Sequence, residues 1–326
     1  MKAILLDQPG PPEVLQVRDI PTPVVRPGWV LVRVKAFGLN RSEMFTRQGH
    51  SGAAVQFPRV LGIECVGVIE DPSDSRLQKG QKVAAVMGGM GRQFDGGYAQ
   101  YCLLPVGQVM PVDTTLPWEK LAAIPETYLT AWGCLVEAIE LQRGESLLVR
   151  GGTSSVGMAA IALAKSLGCT VAATTRTAAK SDALRAAGAD HVLIDNGAIA
   201  AEAARLFGAG VSGLLELIGT STLLDSLQCV ARKGVVCYAG MLGGQWTLER
   251  FEPMPAIPST VKLTVYTTHI VNAANSTEPL QRIVRDVESG RLPLNVDRIF
   301  RFDQIVEAHQ YMEDNRAIGK LVVIVD

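Results

Sequence analysis

One stretch constrains this chain more than any other: Leu147-Leu148-Val149-Arg150-Gly151-Gly152-Thr153-Ser154-Ser155-Val156-Gly157, continued by an apolar run that stops at Gly168. It reads as a buried strand, a tight turn of small residues and a helix. Such a turn leaves free backbone N–H groups at the amino end of the helix. With the positive end of the helix dipole, those donors suit a pyrophosphate. Val156, Ala160, Leu163, Ala164 and Leu167 share one helical face, which can pack on a sheet. Gly157 has no side chain, so helix and strand can approach closely. An ordinary strand–helix turn looks the same in isolation, and the surrounding pattern has to decide.

From residue 146 onward, strands alternate with helices. The expected strands are 147–150, 170–175, 191–194, 213–218, 234–239 and 261–267; the expected helices are 156–167, 178–187, 198–207 and 221–230. Thr177 and Asn196 stand at helix starts, and Gly168, Gly188 and Gly208 follow helix ends. This is the pattern of a parallel, doubly wound sheet. Residues 1–121 read differently. Short strands (3–6, 14–19, 29–39, 60–70, 82–87, 99–104, 109–111) are punctuated by Pro and Gly, which suggests a mostly antiparallel, barrel-like domain. A helix over 127–139 follows the boundary. The remainder, 270–326, offers helices at 280–289 and 303–312 and strands at 300–302 and 320–325. With no further strand–helix repeat, it is expected to return to the first domain. The expected domains are therefore 1–121 and 270–326 around an insert at 122–269.

Charge excludes some classes of function. Thirty-one basic and 32 acidic residues give a net charge of −1, with no basic surplus for nucleic acid. The opening apolar run, broken at Asp7, is too short for a signal peptide, and no uncharged run approaches the roughly 20 residues that span a bilayer. The six cysteines form no C-x-x-C pair and read as free thiols in a reducing cytoplasm.

The second strand of the repeat ends at Thr174-Thr175-Arg176-Thr177, with Lys180 one turn on. A dinucleotide-binding unit for NAD has Asp or Glu near here for the ribose 2′-hydroxyl. This chain has two hydroxyls, a guanidinium and an ammonium. Arg176 can stack on adenine and grip a 2′-phosphate in a bidentate fork, and Lys180 adds a second positive charge. The pattern favours NADPH over NADH; the plainer reading is solvated surface charge.

At this point the whole chain resembles the medium-chain dehydrogenase/reductase superfamily, and within it the zinc-free quinone oxidoreductase branch that includes zeta-crystallin-like proteins. The residues that carry the resemblance lie at 36–43 (AFGLNRSE), 58–67 (PRVLGIECVG), 96–101 (GGYAQY), 123–132 (AIPETYLTAW), the turn itself, 184–192 (LRAAGADHV) and 319–323 (GKLVV). Their order and spacing are specific as a set. The resemblance implies a Rossmann domain, a GroES-like catalytic domain, and a homodimer paired along the strand at 261–267. It also implies site residues. Asn40 matches an Asn near the nicotinamide whose amide bonds ribose or substrate oxygen; alternatively it caps a turn. Thr127, with Thr130 behind it, matches a nicotinamide-side Thr; alternatively it only begins a helix. Gly240 and Met241 follow the fifth strand and would line the nicotinamide pocket. Arg316 matches a cofactor-contacting base, or is a surface residue.

Zinc-dependent members carry Cys near position 40 and Gly-His-Glu where this chain has Gly62-Ile63-Glu64. Ile63 cannot bind metal, and a four-cysteine lobe near 88–105 is reduced to Cys102, so no metal is expected. Relatives also read Gly-Ala-x-Gly-Gly-Val-Gly at the turn; here Ser154 and Ser155 replace two glycines, and Ser155 is expected to bond a phosphate. The expected cofactor contacts are Gly152, Thr153, Ser154, Ser155, Val156, Thr175, Arg176, Lys180, Gly240, Met241 and Arg316, with Asn40 and Thr127 catalytic. His50 is a weaker candidate proton donor, and Glu64 reads as structural. The expected activity is NADPH-dependent reduction of quinones or α,β-unsaturated carbonyls, with no nucleic-acid or membrane partner. Alternatives are an enoyl-thioester reductase and a non-catalytic NADPH-binding sensor or structural protein.

Overall fold

A computed structural model describes residues 1–325. The chain forms two compact units. One comprises Met1–Leu129, Thr268–Gly290 and the segment from Val296 onward; the other comprises Thr130–Thr267 and Arg291–Asn295.

The first unit opens with β1 (Lys2–Leu6), β2 (Gln16–Asp19) and β3 (Trp29–Gly38). Helix α1 (Arg41–Arg47) follows directly. Then come β4 (Arg59–Val60), β5 (Glu64–Asp71), β6 (Lys82–Val86), β7 (Tyr101–Pro105) and β8 (Val109–Pro111). The segment expected as one strand over 60–70 is two. At Gly62, with φ of +105°, the backbone turns where only glycine fits without strain, and a Cβ there would lie 2.7 Å from Gly97 N. Helix α1 was not expected. It is short, and its last turn buries Arg47, so its sequence lacks a plain amphipathic stripe.

Short α2 (Trp118–Leu121) precedes α3 (Pro125–Trp132), which continues as a π-helix over Gly133–Ala138. The helix expected at 127–139 is thus interrupted. Bare Gly133 lets Tyr266 pack where a Cβ would sit 1.9 Å from its ring. The π turn is one of the standard ways a helix absorbs such an intrusion.

The second unit is a six-stranded sheet. Its strands are β9 (Ser146–Arg150), β10 (Thr170–Thr175), β11 (His191–Ile194), β12 (Val211–Glu216), β13 (Val230–Tyr238) and β14 (Lys262–Val265). Their order is β11-β10-β9-β12-β13-β14, and every pairing is parallel. That is the doubly wound order with its switch point between β9 and β12. Leu148, Ala172, Leu214 and Val236, one from each of four neighbouring strands, are fully buried. Helices α4 (Ser155–Ser166), α5 (Ser181–Ala186), α6 (Ala200–Phe207), α7 (Thr220–Gln228) and α8 (Pro253–Ala256) connect the strands. Four alanines of α4 (159, 160, 162, 164) are buried, which brings the helix axis close to the sheet.

The remaining elements belong to the first unit. Helix α9 (Ala273–Glu288) starts seven residues before its expected start at 280. Asn272 caps it, accepting from Ala274 N and Asn275 N, and Pro279 lies within it. Then come β15 (Val296–Arg301), α10 (Ile305–Glu313) and β16 (Lys320–Ile324). Strand β16 pairs antiparallel with β3 and parallel with β15, extending the sheet to β15-β16-β3-β5-β6-β8, with β7 also on β3. The core of this unit includes Phe37 stacked on Tyr98, centroids 4.4 Å apart. The fold is therefore α/β, a Rossmann sheet with a mostly antiparallel GroES-like domain.

Candidate active site

The turn after β9 is built by its small residues. Gly151, at φ +90°, reverses the chain, and its N–H donates to Thr174 Oγ1 at 3.0 Å. Gly152 N donates to Thr174 O at 3.1 Å, which fixes the turn to the end of β10. A Cβ on Gly157 would fall 2.5 Å from Gly151 O, so helix and turn meet only because residue 157 is glycine. Ser154 is the helix cap: its hydroxyl donates to Gly151 O (2.8 Å) and accepts from Gly157 N (3.1 Å). That hydroxyl is thus engaged inside the turn. Ser155 and Val156 open α4, where backbone N–H groups have no helical acceptor. Thr153, Ser154, Ser155 and Val156 are all partly exposed.

Thr175 ends β10, and its hydroxyl shapes the next bend by accepting from Thr177 N. Exposed Arg176 follows it, and Lys180 ends a 3-10 turn over Ala178–Lys180. Gly240 follows β13; a Cβ there would lie 2.6 Å from Leu217 O. Met241 is beside it, half-buried. All these residues stand at the carboxyl ends of parallel strands, where such sheets bind ligands.

The sequence reading missed Arg150, the last residue of β9 and fully buried. Its guanidinium grips both oxygens of Asp195 (2.8 and 2.9 Å) and also donates to Asp225 (2.7 Å), Ser226 Oγ and Thr222 O. It ties the ends of β9 and β11 to α7. The signal was an arginine closing an apolar strand run.

In the other unit the structure brings together Asn40, Glu43, Glu64 and Lys320. Glu43 reaches back from the first turn of α1 to accept from Asn40 N (3.0 Å) and Ile63 N (3.0 Å). Asn40 Nδ2 donates to Glu64 Oε1 (3.0 Å) and, at 3.3 Å, to Glu43 Oε1. Lys320 Nζ donates to Asn40 Oδ1 and Glu64 Oε1, both at 2.6 Å. Glu43, Glu64 and Lys320 are each 1 % exposed. Burial pushes the Glu43 carboxyl up to about 7, against the N–H of Ile63 and the charge of Lys320. The other oxygen of Glu64 accepts from Glu126 N at 3.0 Å, at the start of α3. Thr127 comes next. It is 2 % exposed, and its hydroxyl has no hydrogen-bond partner among the described residues. Thr130 is also buried.

Glu43 and Lys320 were not singled out from sequence, because each is charged and reads as surface until the fold buries it. Arg316 is exposed, with its guanidinium 4.5 Å from the centre of the Tyr311 ring. His50 is exposed and edge-on to Phe45.

Residues 26–114 match the family model described as alcohol dehydrogenase GroES-like domain, and residues 187–323 match zinc-binding dehydrogenase. A quinone oxidoreductase of Homo sapiens is 26 % identical over 330 residues, covering 99 % of this chain and 98 % of that one. A mycobacterial protein solved in complex with NADPH superposes with a TM-score of 0.88 at 25 % identity, covering 99 % of both chains. A structure described as an NAD-dependent alcohol dehydrogenase gives 0.87 at 27 % identity, covering all of both. Fold, strand-end residues and relatives together define an oxidoreductase of the nicotinamide-dependent class. The chain belongs to the medium-chain dehydrogenase/reductase superfamily, with quinone oxidoreductases among its relatives.

Proposed function

We propose that this chain reduces quinones or α,β-unsaturated carbonyls with NADPH and without zinc. The observation that carries the reading is the donor set around Asn40. Ile63 has no ligating atom, and the Asn40 amide is committed to Glu43, Glu64 and the Lys320 ammonium. Among the described residues, no group of three His, Cys, Asp or Glu side chains is disposed to hold a metal ion. Residues so arranged do not fit a tetrahedral zinc. An acceptor for this site must therefore be electrophilic by itself, as a quinone ring or the β-carbon of an enone is.

The residues do fit a dinucleotide. In its favour, the turn at 151–156 offers backbone N–H groups and the basic residues Arg176 and Lys180 follow β10; in the other unit, the hydroxyl of buried Thr127 has no hydrogen-bond partner among the described residues. NADPH, when bound, supplies the hydride and the protein supplies orientation. In this reading Gly152–Val156 hold the pyrophosphate, and Thr175, Arg176 and Lys180 hold the adenosine end. Gly240 and Met241 line the nicotinamide pocket, Asn40 and Thr127 serve the nicotinamide end, and Arg316 adds positive charge. Residues 1–121 with 270–326 act as the catalytic domain and 122–269 as the cofactor domain. Edge strand β14, with Val265 62 % exposed, pairs with a second copy. All six cysteines are free and buried, which suits a reducing cytoplasm. No helix among the described residues is long and apolar enough to cross a membrane.

Stopped-flow oxidation of NADPH and NADH against a quinone, an enal and an enoyl thioester tests the reading. Turnover of quinone or enal with NADPH preferred, unchanged by a chelator and reversed toward NADH in Arg176→Ala, is the expected result. Turnover of the thioester alone would move the assignment to enoyl-thioester reduction. Tight NADPH binding with no turnover would move it to a sensor.

A further inference from the structure

The Asn40 amide has one carbonyl oxygen and two N–H donors. Its oxygen faces the Lys320 ammonium at 2.6 Å, and its nitrogen faces carboxylate oxygens of Glu64 at 3.0 Å and Glu43 at 3.3 Å. Turning the amide over would set –NH2 against –NH3⁺ and C=O against the Glu64 carboxylate. Both of these contacts would change from attraction to repulsion, in a buried site where charges are weakly screened. Which way an Asn points is ordinarily a matter of fitting the network, and this network admits one answer. With both N–H groups engaged, what Asn40 can still offer a ligand is the second lone pair of Oδ1.

Glu64 has a second attachment. One oxygen holds Asn40 and Lys320; the other holds Glu126 N, the residue before Thr127. Room for the pair depends on Gly38, which sits on β3 opposite Val322 of β16. A Cβ on Gly38 would fall 2.2 Å from Lys320 Cε and 2.4 Å from Glu64 Oε1.

We propose that Lys320 and Glu64 are positioning residues, which lock the Asn40 amide so that it presents an acceptor and fix the start of α3 so that Asn40 and Thr127 are held as one unit. Asn40 then receives a hydroxyl of the bound ligand and does not donate to the substrate carbonyl. The proposal rests on the function proposed above, and its first readout is independent of turnover.

In the ligand-free protein, the side-chain NH2 of Asn40 should give two resolved, slowly exchanging proton signals in ¹⁵N-correlated NMR, identified by their loss in Asn40→Asp. Gly38→Ala displaces the pair by sterics alone. Lys320→Met combined with Glu64→Gln removes both charges at similar volume and so preserves folding. In each folded variant, the two signals, kept distinct by slow rotation about the amide C–N bond, should lose at least tenfold of their protection from exchange. With the quinone, kcat/KM should fall roughly tenfold to a hundredfold, as for a displaced contact group, while the KM for NADPH changes less than kcat. Unchanged Asn40 signals in both folded variants would overturn the proposal even if the enzyme reduces quinones. Absence of turnover in the wild type would overturn the functional reading and leave the NMR result to judge the lock.

Discussion

Glu43 gives this protein a pH signature of its own. Burial, helped by the like charge of Glu64, raises its carboxyl from 4.5 to about 7 against Ile63 N–H and Lys320, with buried Tyr98 also close enough to feel its charge. A raised folded value means the folded state binds the proton more tightly. The stability this contributes is full below about pH 4.5 and is lost as pH rises through 7. His309 works in the opposite sense: burial beside Arg47 lowers it to about 3, so its contribution is present above pH 6.5 and lost as pH falls toward 3. Denaturant melts of wild type and Glu43→Gln between pH 4.5 and 8 should therefore diverge. Wild type should lose on the order of 3 kcal/mol relative to the variant across the window. Parallel curves would show that Glu43 does not titrate there. None of this was visible in sequence, where Glu43 is a helix carboxylate three residues past an Asn.

At the scale of elements, the strand–turn–helix at 146–166 divides its two serines between jobs. Ser154 is bound inside the turn as the α4 cap. Ser154→Ala should lower thermal stability by about 1 kcal/mol. Ser155 opens the helix with no such internal duty, so Ser155→Ala should leave the melting temperature unchanged and raise the NADPH dissociation constant several-fold. An unchanged constant would remove Ser155 from the phosphate site. The sequence showed the turn and its helix because local rules suffice: an apolar run, glycines at close contacts and a 3.6-residue stripe. It did not show which serine caps, since both are small hydroxyl residues at a helix start. It also did not show α1 or the π turn after α3, which depend on buried Arg47 finding a partner in Glu313 and Tyr266 finding Gly133.

Across the whole molecule, β14 closes one edge of the six-stranded sheet with Val265 exposed. An unpaired edge of this kind is a template for a second strand. Sedimentation at micromolar concentration should show a dimer, and Val265→Asp should shift it toward monomer with circular dichroism unchanged. A wild-type monomer would refute the edge-to-edge arrangement.

The sequence alone determined the alternation that builds the parallel sheet, the turn of small residues after β9, the basic end of β10 and the absence of a ligating side chain at Ile63. Each is written in neighbouring residues or in a single side chain's chemistry. Only the tertiary structure decided how the Asn40 amide is held. The groups that fix it lie at 43, 64 and 320, on a helix and two strands that meet only after β16 pairs with β3. Buried charges are stable only in company, and that company comes from parts of the chain far apart in sequence.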